Sequence, residues 1–160
     1  MADIISHGKS ARFGEAKLRR ALELLFFAYR DFTGEADAVL VKYGFGRAHH
    51  RVIYFVGRHP GITVSALLAI LKITKQSLSR VLSQLVRQGF VRQGADIRDK
   101  RRRRLSLTAK GQALERLLTE RQTRRVAAAF AAAGEDAVRG FDAVLLGIVN
   151  AVDRRRFGGG

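Results

Sequence analysis

Between Asp96 and Arg104 the sequence reads DIRDKRRRR, six basic residues, five of them consecutive, with two carboxylates among them. Guanidinium and ammonium groups at this density attract polyanions, and Arg in particular suits phosphate oxygens. A floppy cationic arm has no need of Asp96 and Asp99. Those acids can pair with a neighbouring Arg and give the loop a shape. A second set lies just upstream, in TKQSLSRVLSQLVR from Thr74 to Arg87. At helical spacing Leu78, Val81, Leu82 and Leu85 fall on one side, and Gln76, Ser79, Arg80, Ser83 and Arg87 on the other. Lys75, Gln76 and Ser77 crowd the first turn. Amide, hydroxyl and guanidinium groups on such an outer face match the edges of nucleic-acid bases: Arg to guanine, Gln to adenine, Ser to either. For an isolated helix the plainer account is a solvated face. The basic loop directly after it favours the sharper one.

The elements that must hold these residues are legible around them. Thr63 caps a short helix from Val64 to about Leu71, and a tight turn at Lys72 and Ile73 leads to Thr74, the cap of the next helix. Gly89 stands where that helix wants a left-handed residue, and Phe90 can pack back on its last turn. Two short helices joined by a tight turn make a helix-turn-helix candidate. From Phe90 the period changes to strand, loop, strand, with Leu105 and Leu107 alternating around Ser106. A two-stranded ribbon of this kind can press its basic tip on a phosphate backbone or into a minor groove, with Arg98 the residue for insertion. Alternate members of Arg101 to Arg104 should face opposite sides, so not all can touch one partner.

Helices flank this unit. Leu18, Leu22, Leu25, Phe26 and Tyr29 share one face of a helix that starts at Glu15 and runs to the glycines of YGFGR. A second helix covers Arg47 to Arg58 and stops at HPG. Thr108 caps a helix broken by Gly134. The segment from Glu135 to Arg156 is read as one last helix, in which Val138, Phe141, Leu145, Ile148 and Val152 form a heptad seam. The expected order is four helices, two strands and two helices: mainly α with a small β-ribbon. Its parts are a lead-in (1–14), an N-terminal helix (15–45), a helix-turn-helix lobe with its ribbon (46–108), C-terminal helices (109–155) and a flexible tail (156–160).

Composition narrows the function. The 160 residues carry 30 Lys and Arg against 14 Asp and Glu, a net charge of +16 and a pI near 11.5. Nucleic acid is the leading partner for such a body, an anionic membrane surface the second. The chain has no cysteine, which excludes disulfides, cysteine-bound zinc and thiol redox sensing. No apolar run approaches the roughly 18 residues that span a bilayer, and MADIISHGKS lacks the apolar core of a signal peptide, so the expected compartment is the cytoplasm. No nucleophile elbow, phosphate-binding glycine loop or HExxH motif marks an enzyme. Glu115 and Glu120 read as solvent-facing charges. His49 and His50 point about 100° apart on a helix and cannot chelate one metal well, so no metal or cofactor is expected.

VSALLAILKITKQSLSRVLSQLVRQGFV followed by DIRDKRRRRLSLTAKG resembles the MarR family of winged helix-turn-helix transcription regulators. The telling residues are Asp96-x-Arg98-Asp99, then Leu107-Thr108 and Gly111 at the family's spacing. The likeness spans roughly residues 15–153, and FGRAHHRVIYFVGRHPG looks like the PetP-like branch. The resemblance implies a two-fold homodimer on double-stranded DNA, interlocked through the terminal helices, with Leu18, Leu22 and the seam residues at the interface. It places Thr74, Lys75, Gln76, Ser77, Ser79, Arg80 and Ser83 at the major groove and Arg98 at the wing tip, with Asp96 as its orienting partner. Asp99 shapes the wing, and Lys100, Arg101, Arg102, Arg103 and Arg104 form a phosphate clamp. Two departures stand out. Lys72 replaces a frequent glycine, and Arg102 to Arg104 replace frequent apolar residues. Family members often bind small phenolic or aromatic acids. Phe13, Arg20, His49, Arg51 and Tyr54 are the candidate lining here, and ordinary core and surface roles are the plainer account. The lack of cysteine speaks against an oxidant sensor, and the lack of tryptophan weakens a urate-type reading. Two other functions compete: an architectural DNA-binding protein without sequence preference, and a basic peripheral membrane protein. The mixed polar helix face disfavours the first, and the ribbon setting of the basic cluster disfavours the second.

Overall fold

A computed structural model of the chain describes residues 12–158. Residues 1–11 of the expected lead-in and 159–160 of the expected tail lie outside the described residues. The elements are α1 (Glu15–Val41), α2 (Arg47–Arg58), β1 (Ile62–Thr63), α3 (Val64–Leu71), α4 (Lys75–Arg87), β2 (Val91–Ala95), β3 (Arg103–Leu107), α5 (Ala109–Ala133), α6 (Glu135–Ile148) and α7 (Ala151–Arg154). Two units result, divided between Leu118 and Thr119 within α5.

In the first unit the apolar stripes of the helices close on one core. Val52, Ile53 and Val56 come from α2, Leu67 from α3, and Leu78, Val81, Leu82 and Leu85 from α4. Phe90, Val91, Leu105 and Leu107 add the sheet, and Leu114 and Leu118 add the start of α5. The end of α1 joins through Ala36 and Leu40. Each such side chain contributes about 1.5–3 kcal/mol when fully removed from water. The earlier part of α1 takes no part: every residue from Glu15 to Asp31 is exposed.

The structure departs from the sequence reading in two places. The ribbon has a third strand: the antiparallel order is β1-β3-β2, with Ile62 opposite Leu105 and Thr63 opposite Arg104. Two residues are too few for alternation to show in sequence, and β1 exists only because β3 offers it an edge. The last helix is also not continuous. Val149 turns extended (ψ 137°), and Asn150 stands at the N-cap before α7. Arg154 stabilises the break by donating to the Val149 carbonyl at 2.8 Å and to that of Gly147 at 3.3 Å, both left without helical partners. The seam from Val138 therefore runs unbroken only to Ile148, and Val152 belongs to a separate short helix. Within the second unit Phe130 meets Phe141 edge to face at 5.6 Å.

The joint between α4, β2 and α5 is the tightest place in the fold. A Cβ on Gly111 would lie 2.0 Å from the Phe90 carbonyl oxygen and 3.3 Å from Leu107 Cβ. Gly111→Ala should therefore destabilise the protein by about 3 kcal/mol. Gly34→Ala, in a helical position with nothing within 4 Å, should stabilise it by roughly 0.5–1 kcal/mol. Thermal unfolding of both variants checks the opposite signs. Equal melting temperatures would refute the close packing at Gly111.

Candidate nucleic-acid interface

The outward face of α4 is set by what lies before, behind and after it. Before it, Lys72 adopts the left-handed region (φ 51°, ψ 43°), the one non-glycine among the described residues to do so. The turn thus keeps the backbone that a glycine would favour, at a cost of about 1 kcal/mol. Thr74 Oγ1 accepts the Ser77 N–H at 3.1 Å and donates to Ser77 Oγ at 2.9 Å. Behind α4 the four apolar residues are buried. After it, Gly89 (φ 80°) lets the Phe90 N–H return to the Leu85 carbonyl at 2.8 Å. Lys75, Gln76, Ser79, Arg80 and Ser83 are left exposed, while Ser77 is half-buried beneath its cap.

The wing is bonded as closely. Gln93 faces Leu105 and Ala95 faces Arg103 across β2 and β3. Pairing continues past the strand ends, where the Asp96 N–H reaches the Arg102 carbonyl at 3.0 Å. Asp99 Oδ1 accepts the Arg101 N–H at 3.0 Å, and its carbonyl accepts the Arg102 N–H at 2.9 Å, so it builds the tip turn. Asp96 is buried. Its Oδ1 accepts the backbone N–H of Arg98 at 3.1 Å, and its Oδ2 receives Arg104 Nη2 at 3.0 Å. Arg104 Nη1 reaches on to the Gly61 carbonyl at 2.9 Å, beside β1.

This revises the expected division of the basic run. Asp96 orients Arg98 through its backbone and pairs its carboxylate with Arg104, whose guanidinium ties the wing to the chain before β1. Because paired residues across a ladder share a face, Arg103 lies on the side of Ala95 and Leu105, and Arg104 on that of Gly94 and Thr63. Arg101, Arg102 and Arg103 join Lys75, Ser79, Ser83 and Gln93 around an open groove of about 650 Å³, whose lining also includes Leu68, Leu82, Thr63, Val64 and Ser65. Arg98 and Lys100 are exposed at the tip, outside the groove lining.

Within the chain, His49, Arg51 and Tyr54 of the candidate cleft each have partners of their own. His49 Nδ1 accepts the Gly46 N–H at 3.1 Å, Nε2 meets Gln84 Oε1 at 2.8 Å, and the ring stacks on Phe45 at 4.7 Å. It therefore links the start of α2 to α4. Arg51 donates to the Tyr29 hydroxyl at 2.6 Å. At about 1.5 Å per residue, Arg20 lies roughly 13 Å up α1 from Tyr29, and Phe13 lies farther. Tyr54 packs edge to face on Phe55. Sequence reasoning missed one neighbouring group: Arg47 pairs with Asp37 at 3.1 Å and covers the Tyr29 ring at 5.4 Å, beside Arg51. The recurrence of Arg47 and Arg51 one helical turn apart was the available signal. Next to them His50 is buried, which lowers its pKa, while the Asp37 carboxylate pulls the other way. Glu115, read as solvent-facing, is half-buried, with its Cγ close to the Cβ site of Gly57. Among the described residues no cluster of His, Asp and Glu could hold a metal, and no helix is long and apolar enough to cross a membrane.

PetP of Rhodobacter capsulatus, an HTH-type transcriptional regulator, is 48% identical to this chain over 143 residues, 89% of the chain and 86% of PetP. The chain belongs to the MarR family of transcription regulators, in the PetP-like branch. The MarR family model matches residues 43–102, from the end of α1 into the wing tip. Two solved structures share the fold. FabT of Streptococcus pneumoniae, solved in complex with DNA, has a TM-score of 0.73 at 20% identity, over 82% of this chain and 94% of its own. A SlyA-like transcription regulator from Listeria monocytogenes has a TM-score of 0.67 at 20% identity, over 79% and 85%. The family's winged helix-turn-helix is thus the fold of the α3, α4 and wing region.

The wing's shape depends on an ionised Asp96. The Arg98 N–H bond, and after it the Arg104 guanidinium, hold its carboxyl below the ordinary aspartate range. A depressed pKa contributes stability that is complete above the unfolded value and disappears as pH falls through the folded one. A carboxyl-carbon NMR titration should place the Asp96 midpoint below that of a free aspartate. Arg104→Met should move it part of the way back. A midpoint at the free value would refute the clasp.

Proposed function

We propose that this MarR-family regulator binds a pseudo-palindromic operator in double-stranded DNA as a homodimer. The single observation that carries the reading is the groove between α4 and the wing. One wall presents Lys75, Ser79 and Ser83, and the other presents Arg101, Arg102 and Arg103. A duplex seated there would meet base-reading groups from the helix and phosphate-binding groups from the wing. Gln76 and Arg80, exposed on the same helix, extend the reading face, and Arg98 probes the adjacent minor groove. The mixed polar character of α4 supports sequence reading over the nonspecific alternative.

Support for the dimer comes from apolar side chains that one chain leaves bare. Leu18, Leu22, Leu24, Leu25, Phe26 and Phe27 on α1 are 43–67% exposed, and Phe141, Val144 and Ile148 on α6 are 48–63% exposed. Patches of this size on a soluble chain mark association surfaces. A second copy supplies the matching surface by symmetry, and two winged modules then suit half-sites about one helical turn apart. For a small aromatic-acid effector, support lies in the family resemblance and in the Arg47, Arg51 and Tyr29 group, which offers cations beside an aromatic ring.

Selection of bound fragments from genomic or random DNA, with sizing of the complex, tests the core of this reading. The expected result is an enriched palindrome carrying two chains; random enrichment would refute sequence reading. Gln76→Ala or Arg80→Ala should each reduce discrimination by roughly 1–3 kcal/mol, and Arg98→Ala should weaken all sequences and shallow the salt slope by about one unit. Operator release by a phenolic or aromatic carboxylic acid, lost in Arg51→Ala, is expected from the effector reading. No response to a panel of such acids would remove it.

A further inference from the structure

Ile97 is the unexplained residue of the wing. Its side chain is 100% exposed, whereas the other exposed large apolar residues range from 37% to 72%. Most of those lie on α1, α6 and α7, which the proposed dimer would cover. Nothing in the chain's own packing uses Ile97.

Its exposure does not come from a loose loop. The Asp96 carboxylate accepts the Arg98 N–H across Ile97, so the residue is the apex of a closed turn. Asp96 is itself anchored three ways, by its N–H to Arg102 and by its carboxylate to Arg98 and Arg104, and Arg104 is fastened to Gly61. Asp99 closes the far side through Arg101 and Arg102. The aliphatic side chain is therefore held out on a braced support.

The surroundings select its partner. Arg98, Lys100, Arg101 and Arg102 stand exposed on the same tip. An apolar protein cleft would have to strip water from those cations without pairing them. One aliphatic residue is also a small anchor for a bilayer, which peripheral proteins engage with a whole helix face. A DNA minor groove meets both needs: phosphates on either rim for the cations, and sugar and base edges between them for an apolar wedge.

Resting on the proposed DNA-binding reading, we infer that Ile97 is a specificity-determining residue that enters the minor groove beside Arg98 and selects A·T pairs. A G·C pair places the guanine N2 amino group on the groove floor. Isoleucine cannot accept its hydrogen bond, so burying it there is unfavourable. Because an apolar contact releases no counterions, this preference is independent of salt, unlike that from Arg98.

The test uses the full-length protein and its selected operator, titrated at several salt concentrations. Base pairs under the wing are A·T, G·C or inosine·C, the last lacking the N2 amino group. Ile97→Ser should bind the A·T operator about tenfold more weakly, with an unchanged salt slope. It should also lose most of the discrimination against G·C relative to inosine·C, and Ile97→Leu should keep both properties. Ile97 makes no packing contact, so a serine there leaves the fold intact. Wild-type affinity and discrimination in Ile97→Ser would overturn the inference, as would a loss that appears only as a change of slope. If the wild-type protein selects no operator, the DNA-binding reading fails first; if it does and Ile97→Ser behaves as wild type, only the role of Ile97 fails.

Discussion

The Phe90 carbonyl group is the point on which the first unit turns. It accepts the Thr108 N–H at 3.1 Å and lies against the Cα of Gly111, while Thr108 Oγ1 donates to the neighbouring Gly89 carbonyl and accepts the Gly111 N–H. The Phe90 ring meets Tyr43 and Phe45 edge to face and lies under Lys110 at 4.3 Å. The end of α4, the start of β2, the start of α5 and the corner after α1 thus meet at one residue. The angle between α4 and the wing is set where helix becomes strand, and this joint has no slack: one methyl group on Gly111 would overlap the carbonyl.

From that joint the wing projects its charge outward, but not uniformly. A run of five cations would repel itself if all pointed one way. Strand alternation separates Arg103 from Arg104, and the buried Asp96 takes Arg104 out of the outward set. The acid and the base stabilise each other's positions, and the same pair braces the turn that carries Ile97 and Arg98. The wing is therefore a structured element with its own internal ion pair. The remaining cations can meet phosphates without having to order the loop first.

Much of this was legible in sequence because it is local. The cap at Thr74, the left-handed Gly89, the leucine back of α4 and the stop at Gly134 each depend on a few adjacent residues and on one helical period. The helix that carries Val138, Phe141, Leu145 and Ile148 was legible as far as Ile148, since a period of three and four residues needs no tertiary partner. It was overextended to Val152, because no proline or glycine marks the break at Val149 and Asn150. That break is stabilised by Arg154 folding back on carbonyls five and seven residues earlier.

By itself the sequence determined the helical class, the polar and apolar sides of α4, and the family, all of which follow from residue type and spacing along the chain. Only the tertiary structure decided which partner Asp96 takes, that Ile62 and Thr63 form a strand, and that His49 binds Gln84. The reason is the same in each case. The partners lie eight, some forty and thirty-five residues apart, and a hydrogen bond across such a distance exists only after the core has brought the two segments together. A basic run reads as a row of equal charges in sequence; in space, two hydrogen-bond acceptors make one of them a brace.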